Sequence, residues 1–260
     1  MWLKAESPNT ENGVLPFMIK FVGECTKNLI ETVKYIISGE VKISRILTQA
    51  AMISYDSLSI ALTIVFIASA VIALQVSEQF LLTGGEAYIG GFVAVAMIRE
   101  IAPGFAALAI GARAGTEICA EVANMQVTSQ VDAIKVLKIN PVGYYFAPRI
   151  VAAGLTVPLV IILAEFLGIL GGLIVSHYVI ELHPNVYMNS VWLWLRPKDI
   201  YISLFKWIVF GILIALVCAT QGYLTKGGAK DVGISTTQAA IKSTIYLLVA
   251  DLIINFIFYL

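Results

Sequence analysis

Charge is scarce in this chain. Charged side chains make up 13% of its 260 residues, about half the roughly 25% usual in soluble globular domains. The 17 Lys and Arg are balanced by 17 Asp and Glu, so no basic field points to nucleic acid. Histidine occurs only as His177 and His183, and the three cysteines, Cys25, Cys119 and Cys218, are scattered without a C-x-x-C pair. That spacing suggests neither a metal cluster nor a disulfide framework, and the thiols read as packing residues. Gly-x-x-x-x-Gly-Lys-Ser/Thr, Gly-x-Ser-x-Gly and His-Glu-x-x-His are all missing. The chain therefore has no P-loop with which to bind ATP itself and no recognisable hydrolytic site. Its first thirteen residues are polar and do not read as a cleaved signal peptide.

Hydrophobic residues fill the space that charge leaves, at 59% of the sequence. Several runs reach the ~20 apolar residues needed to cross a hydrocarbon layer about 30 Å thick. Open strands in lipid would strand backbone donors and acceptors, so the expected class is an all-α membrane protein. Five transmembrane helices are expected, at 54–76, 88–112, 146–176, 201–220 and 239–259, in a single domain spanning 1–260. Asp56 falls near the start of the first, and Pro148 and Pro158 fall in the third. Before them, residues 14–37 carry Lys20, Glu24, Lys27, Glu31 and Lys34 as a stripe of alternating sign, with Phe17, Phe21, Val22, Leu29, Val33 and Ile36 between. That pattern predicts an amphipathic helix lying at the membrane interface. The stretch 177–200 reads as an outer loop with Tyr187, Trp192 and Trp194 at the interface.

Five spans put the termini on opposite sides. Lys4, Lys20, Lys27, Lys34, Lys42, Arg45, Arg113, Lys135, Lys138, Lys226 and Lys230 fall on one side, against Arg196 and Lys198 on the other. By the positive-inside rule the N-terminus and the 113–145 segment face the cytoplasm, and the C-terminus faces away from it.

Three features could carry function. Arg99, Glu100, Glu165 and Asp251 sit near the middle of their spans, and Lys206 nearer the outer end of the fourth. Each costs about 2.5–3.5 kcal/mol on insertion scales. They should therefore pair with one another, as Arg99 with Asp251, or line a cavity that meets a charged ligand; the two readings are compatible. Gly111-x-x-x-Gly115 and Gly168-x-x-x-Gly172 favour close helix approach, within one chain or across a dimer. Finally, 116–139 reads as two short amphipathic helices. The second is N-capped by Thr128, faces Val131, Ile134 and Leu137 to one side, and ends at Asn140-Pro141. Its apolar face needs a cover, either the bilayer surface or a groove on another protein.

Taken together, Arg99-Glu100-Ile-Ala-Pro103, Gly111-Ala-Arg113-Ala-Gly115, Ala120-Glu121, Met125, Gln130-Val-Asp132-Ala133, Asn140-Pro141 and Pro148-Arg149 resemble the MlaE/YrbE permease family over nearly the whole chain. These are membrane subunits of ABC-type lipid transporters, with a plastid inner-envelope branch. The resemblance implies a non-catalytic phospholipid permease, a homodimer bound to cytoplasmic ABC ATPase subunits that handle the ATP and to Mce-domain protein on the outer side. It would move lipid between an inner membrane and an outer membrane or envelope. Arg99, Glu100, Lys206 and Asp251 would then wall a lipid pocket whose acyl surface includes Ile72 and Phe80. Glu121, Met125, Gln130, Asp132 and Ala133 would form the coupling segment that meets the ATPase. Ser129 departs from the glutamate frequent there in the family. A self-sufficient ion- or proton-coupled secondary transporter or channel using Glu100, Glu165 and Asp251 is the alternative. A structural scaffold that binds no lipid is a third reading.

Overall fold

A computed structural model of the chain describes residues 14–259. The polar first thirteen residues, Lys4 among them, lie outside the described residues, as do the side chains of Phe17 and Asp56. Among those described, every regular element is helical. Helix α1 (Val14–Ile37) precedes α2 (Ile43–Thr83). A nearly continuous run then comprises a 3₁₀ turn (Glu86–Tyr88), α3 (Ile89–Ala96), a π-turn (Met97–Ile101), α4 (Ala102–Ile110), a second π-turn (Gly111–Gly115) and α5 (Thr116–Val127). After it come α6 (Gln130–Val136), α7 (Pro141–Ile180), α8 (Pro184–Trp194), α9 (Pro197–Tyr223) and α10 (Ala229–Tyr259). Five stretches are long and apolar enough to cross a membrane: Ile43–Thr83, Glu86–Val127, Pro141–Ile180, Pro197–Tyr223 and Ala229–Tyr259. They overrun the apolar windows of the sequence because a helical ladder satisfies its own backbone groups and continues into polar turns.

Helix α7 lies at the centre and packs on α2, α9, α1 and α4. The small residues of its 168–172 motif work within the chain: a Cβ at Gly168 would stand 2.7 Å from Met97 Cε, and one at Gly172 would stand 2.9 Å from Val93 Cγ1. Gly115 meets α9 in the same way, where a Cβ would lie 2.8 Å from Cys218 Sγ. On α1, Phe21, Cys25, Asn28 and Thr32 are buried as it packs on α7 and α9. Its opposite face leaves Ile19, Val22, Ile30, Val33 and Ile37 exposed. All three cysteines are buried and free.

Four local expectations are corrected. The presumed outer loop contains α8, started by Pro184 and by His183 Nδ1 accepting the Asn185 N–H at 3.3 Å. This helix lies on α3, where Gly90 and Gly91 leave no room for side chains. Ser190 Oγ accepts the Gly91 N–H at 2.8 Å, one of the donors left over at the start of α3. Tyr187, expected at the interface, is 1% exposed, because α8 folds it onto α7, where its hydroxyl donates to the Ile169 carbonyl. Thr128 does not cap α6: its hydroxyl donates back to Asn124 O at 2.8 Å and closes α5, while Ser129 takes the left-handed position before α6 at φ 58°. Nor do Asn140-Pro141 end α6, which stops at Val136. They open α7, with Asn140 Oδ1 accepting the N–H groups of Val142 at 2.9 Å and Gly143 at 3.3 Å.

Candidate functional site

Proline at position 103 organises the charged centre. It has no N–H, so the carbonyl of Arg99, its partner in an α-turn, and that of Ile98, its partner in a π-turn, both need other donors. Helix α9 supplies them. Ser203 Oγ donates to Ile98 O at 2.7 Å, and Lys206 Nζ donates to Arg99 O at 2.7 Å. The π-turn that results presents Arg99 and Glu100 side by side, and such turns concentrate at functional positions.

Lys206 is fully buried. Its ammonium donates to Glu100 Oε1 at 3.0 Å as well as to Arg99 O, and forms an ion pair with Asp251 Oδ1 at 2.8 Å. Asn255, one turn after Asp251 on α10, donates to Glu100 Oε2 at 3.0 Å and sits 3.4 Å from Asp251 Oδ2. The expected Arg99–Asp251 pairing does not form, because Lys206 on α9 lies between α4 and α10 and takes Asp251 for itself. Arg99 pairs instead with Asp199 Oδ1 at 2.9 Å. Asp199 is 1% exposed; its other oxygen accepts the Arg196 N–H at 3.2 Å, and a carboxylate in the first turn of α9 suits the positive helix end. The Arg99 guanidinium also stacks on Tyr259, 4.7 Å from the ring centre. Two cations thus face three carboxylates in one cluster.

Asp199 takes only the Nε of Arg99, whose side chain is 34% exposed. Arg99 lines an open cleft of about 550 Å³ together with Val95, Leu193, Trp194 and Arg196. A fork-shaped cation beside an aromatic and an aliphatic wall suits a phosphate with apolar chains attached. Glu165 lies apart from this cluster, with Oε1 3.2 Å from Ser203 Oγ. Ile72 and Phe80 are half-buried on α2. Phe80 meets Phe92 of α3 at 6.1 Å between ring centres, and neither residue lines the cleft beside Arg99.

At the opposite end of the bundle, the five residues expected to meet an ATPase have different settings. Glu121 is bound to Arg149 Nη2 at 2.6 Å, tying α5 to α7. Met125, Gln130 and Ala133 line a cleft of about 520 Å³ between α2, α5–α6 and α7. Asp132 is exposed and pairs with Lys135 at 3.0 Å, a hydrogen bond that holds Lys135 above the usual lysine range. Sequence reasoning missed Asp199, Asn255, Tyr259 and the Arg149 tie. Asp199 stood in an assumed loop, and only the i, i+4 spacing of Asp251 and Asn255 offered a signal.

A family model described as Permease MlaE matches residues 46–257. A "Probable ABC transporter permease protein" of Rickettsia felis is 34% identical over 254 residues, covering 96% of this chain and 98% of the relative. One of the same description from Synechocystis is 33% identical over 225 residues, covering 86% of each. The chloroplastic Arabidopsis thaliana protein named for trigalactosyldiacylglycerol is 30% identical over 229 residues, 88% of this chain and 65% of the plant protein.

Proposed function

The chain belongs to the MlaE permease family and is a multi-pass membrane permease of an ABC-type transporter; from that premise we propose that its cargo is phospholipid. The observation that carries this reading is Arg99. It sits within an apolar helix, held by buried Asp199 through one nitrogen, and lines a cleft with apolar walls. In this reading a head-group phosphate meets Arg99, while Lys206, Glu100 and Asp251 keep the neighbouring wall polar. Acyl chains lie along apolar helix surface that includes Ile72 and Phe80 of α2. The name of the plant relative, which refers to a glycerolipid, supports a lipid substrate.

A separate cytoplasmic ATPase supplies the energy, and the permease itself is non-catalytic. Docking falls to Glu121, Met125, Gln130, Asp132 and Ala133. Motion there passes along the Glu86–Val127 run into the π-turn that carries Arg99 and Glu100. Two copies form the unit and an Mce-domain protein takes the outer side, where the C-terminus lies. The membrane is a bacterial inner membrane or a plastid inner envelope. An ion relay through Glu100, Glu165 and Asp251 fits less well, since Lys206 occupies both Glu100 and Asp251 while Glu165 bonds to Ser203. The test is native mass spectrometry of the complex, wild type against Arg99→Ala. The substitution is expected to reduce co-purifying phospholipid at least about tenfold, the value of one good charge-assisted contact. Undiminished lipid would sink the assignment.

A further inference from the structure

The cleft at the α5–α6 end, lined on one side by Met125, Gln130 and Ala133, has a charged lining on its other side from α2 and α7. Arg149 is 5% exposed; Glu121 takes its Nη2 and the Tyr145 carbonyl its Nη1, leaving a buried Nε without a partner. Across the cleft, Arg45 of α2 lies over the Tyr144 ring, 3.8 Å from its centre, and donates to the Tyr144 hydroxyl. Gln49, one turn after Arg45, also lines this cleft. A second cleft of about 380 Å³ adjoins the first through Arg45, Tyr144 and Pro148 and adds Lys42. The carboxylates nearby are Glu121, bound to Arg149, Glu40 beside Lys42, and Asp132, bound to Lys135.

We propose that this double cleft binds a phosphate-bearing anion, and that an acidic phospholipid of the adjoining leaflet supplies it. Charge complementarity selects a phosphate: Arg45 presents a planar fork that matches it. The surroundings select a lipid. On α2, Ile43 and Leu47 stand next to Arg45 in the chain and are 72% and 64% exposed. The cationic residues therefore lie level with surfaces that need acyl chains, as head-group ligands do. The bound head group would bridge α2, α7 and the α5–α6 elbow, making the stiffness of the coupling segment depend on acidic lipid.

The inference rests on the membrane-spanning reading of the helices but not on the cargo. Its test is retention of lipid rather than transport. The full chain, purified with its ATPase subunit, is moved into nanodiscs of phosphatidylethanolamine with or without phosphatidylglycerol and weighed by native mass spectrometry. Retained phosphatidylglycerol is expected where Arg45 is intact. Arg45→Ala should reduce it about tenfold, with thermal unfolding unchanged. All of these proteins carry Arg99→Ala, so that lipid held in the other cleft does not register, and inorganic phosphate should not displace the retained phosphatidylglycerol. Equal retention of the zwitterionic lipid would overturn the proposal. So would displacement by inorganic phosphate, or no phosphatidylglycerol retained in the Arg99→Ala background, which would place the lipid in the other cleft. If Arg45→Ala sheds the ATPase while acidic lipid stays bound, the cleft is a protein contact and the proposal fails. A failure of the cargo reading shows up separately, in the Arg99→Ala comparison.

Discussion

Lys206 is the residue on which the charged centre depends. It is completely buried and holds two carboxylates and a backbone carbonyl that Pro103 has released. Removing one member of a buried ionic group leaves its partners uncompensated, at about 3–5 kcal/mol. Lys206→Met should therefore lower the thermal midpoint of the detergent-solubilised protein by several degrees. Adding Asp251→Asn should recover part of the loss, because one orphaned charge disappears. Equal stability of wild type and Lys206→Met would show that water already solvates the cluster. Arg99 stands differently: it is partly exposed and bonded through one nitrogen, so its substitution acts on ligand more than on fold.

At the scale of elements, the α5–α6 elbow decides how the membrane helices meet the aqueous side. Thr128 closes α5, Ser129 adopts the left-handed conformation, and α6 follows with Val131 buried and Asp132 exposed. A non-glycine residue can hold that conformation for about 1 kcal/mol, so Ser129 is tolerated at the elbow. The docking face should lie on the exposed side of α6. Gln130→Ala combined with Asp132→Ala is expected to leave the fold intact and to uncouple ATP hydrolysis from lipid movement in proteoliposomes. Normal coupling in that variant would remove these two residues from the contact. The π-turn at Met97–Ile101 is the matching element within the membrane: Pro103 denies the helix one N–H donor, and Ser203 and Lys206 satisfy the carbonyls of Ile98 and Arg99.

For the whole molecule, the exposed apolar faces indicate where further surface is covered. Helix α10 leaves Ile241, Ile245, Leu248, Leu252 and Phe256 exposed along one side, a stripe that lipid or a second copy can cover. The homodimer reading predicts that Leu248→Cys, in a chain whose natural cysteines are all buried, forms a disulfide-linked pair under mild oxidation. Exclusively monomeric product would count against α10 as the seam.

Hydrophobic runs and the shortage of charge were enough to establish an all-α membrane protein with five spans, because lipid permits few other backbone arrangements. The ordered motifs from Arg99 to Arg149 were enough to indicate the family. Pairing was not legible in the same way. Depth in a span can be counted along the chain, but which charge meets which depends on helix rotation and on neighbours distant in sequence. Hence Arg99 went to Asp199, from the edge of a presumed loop, and Lys206 took Asp251. Tyr187 was misplaced for the same reason: a short helix with an ordinary interfacial composition was drawn inward by two glycines on α3. Local sequence determined the helices and their level in the membrane, while tertiary packing alone decided which polar groups were satisfied and which, like the Arg149 Nε, were left without a partner.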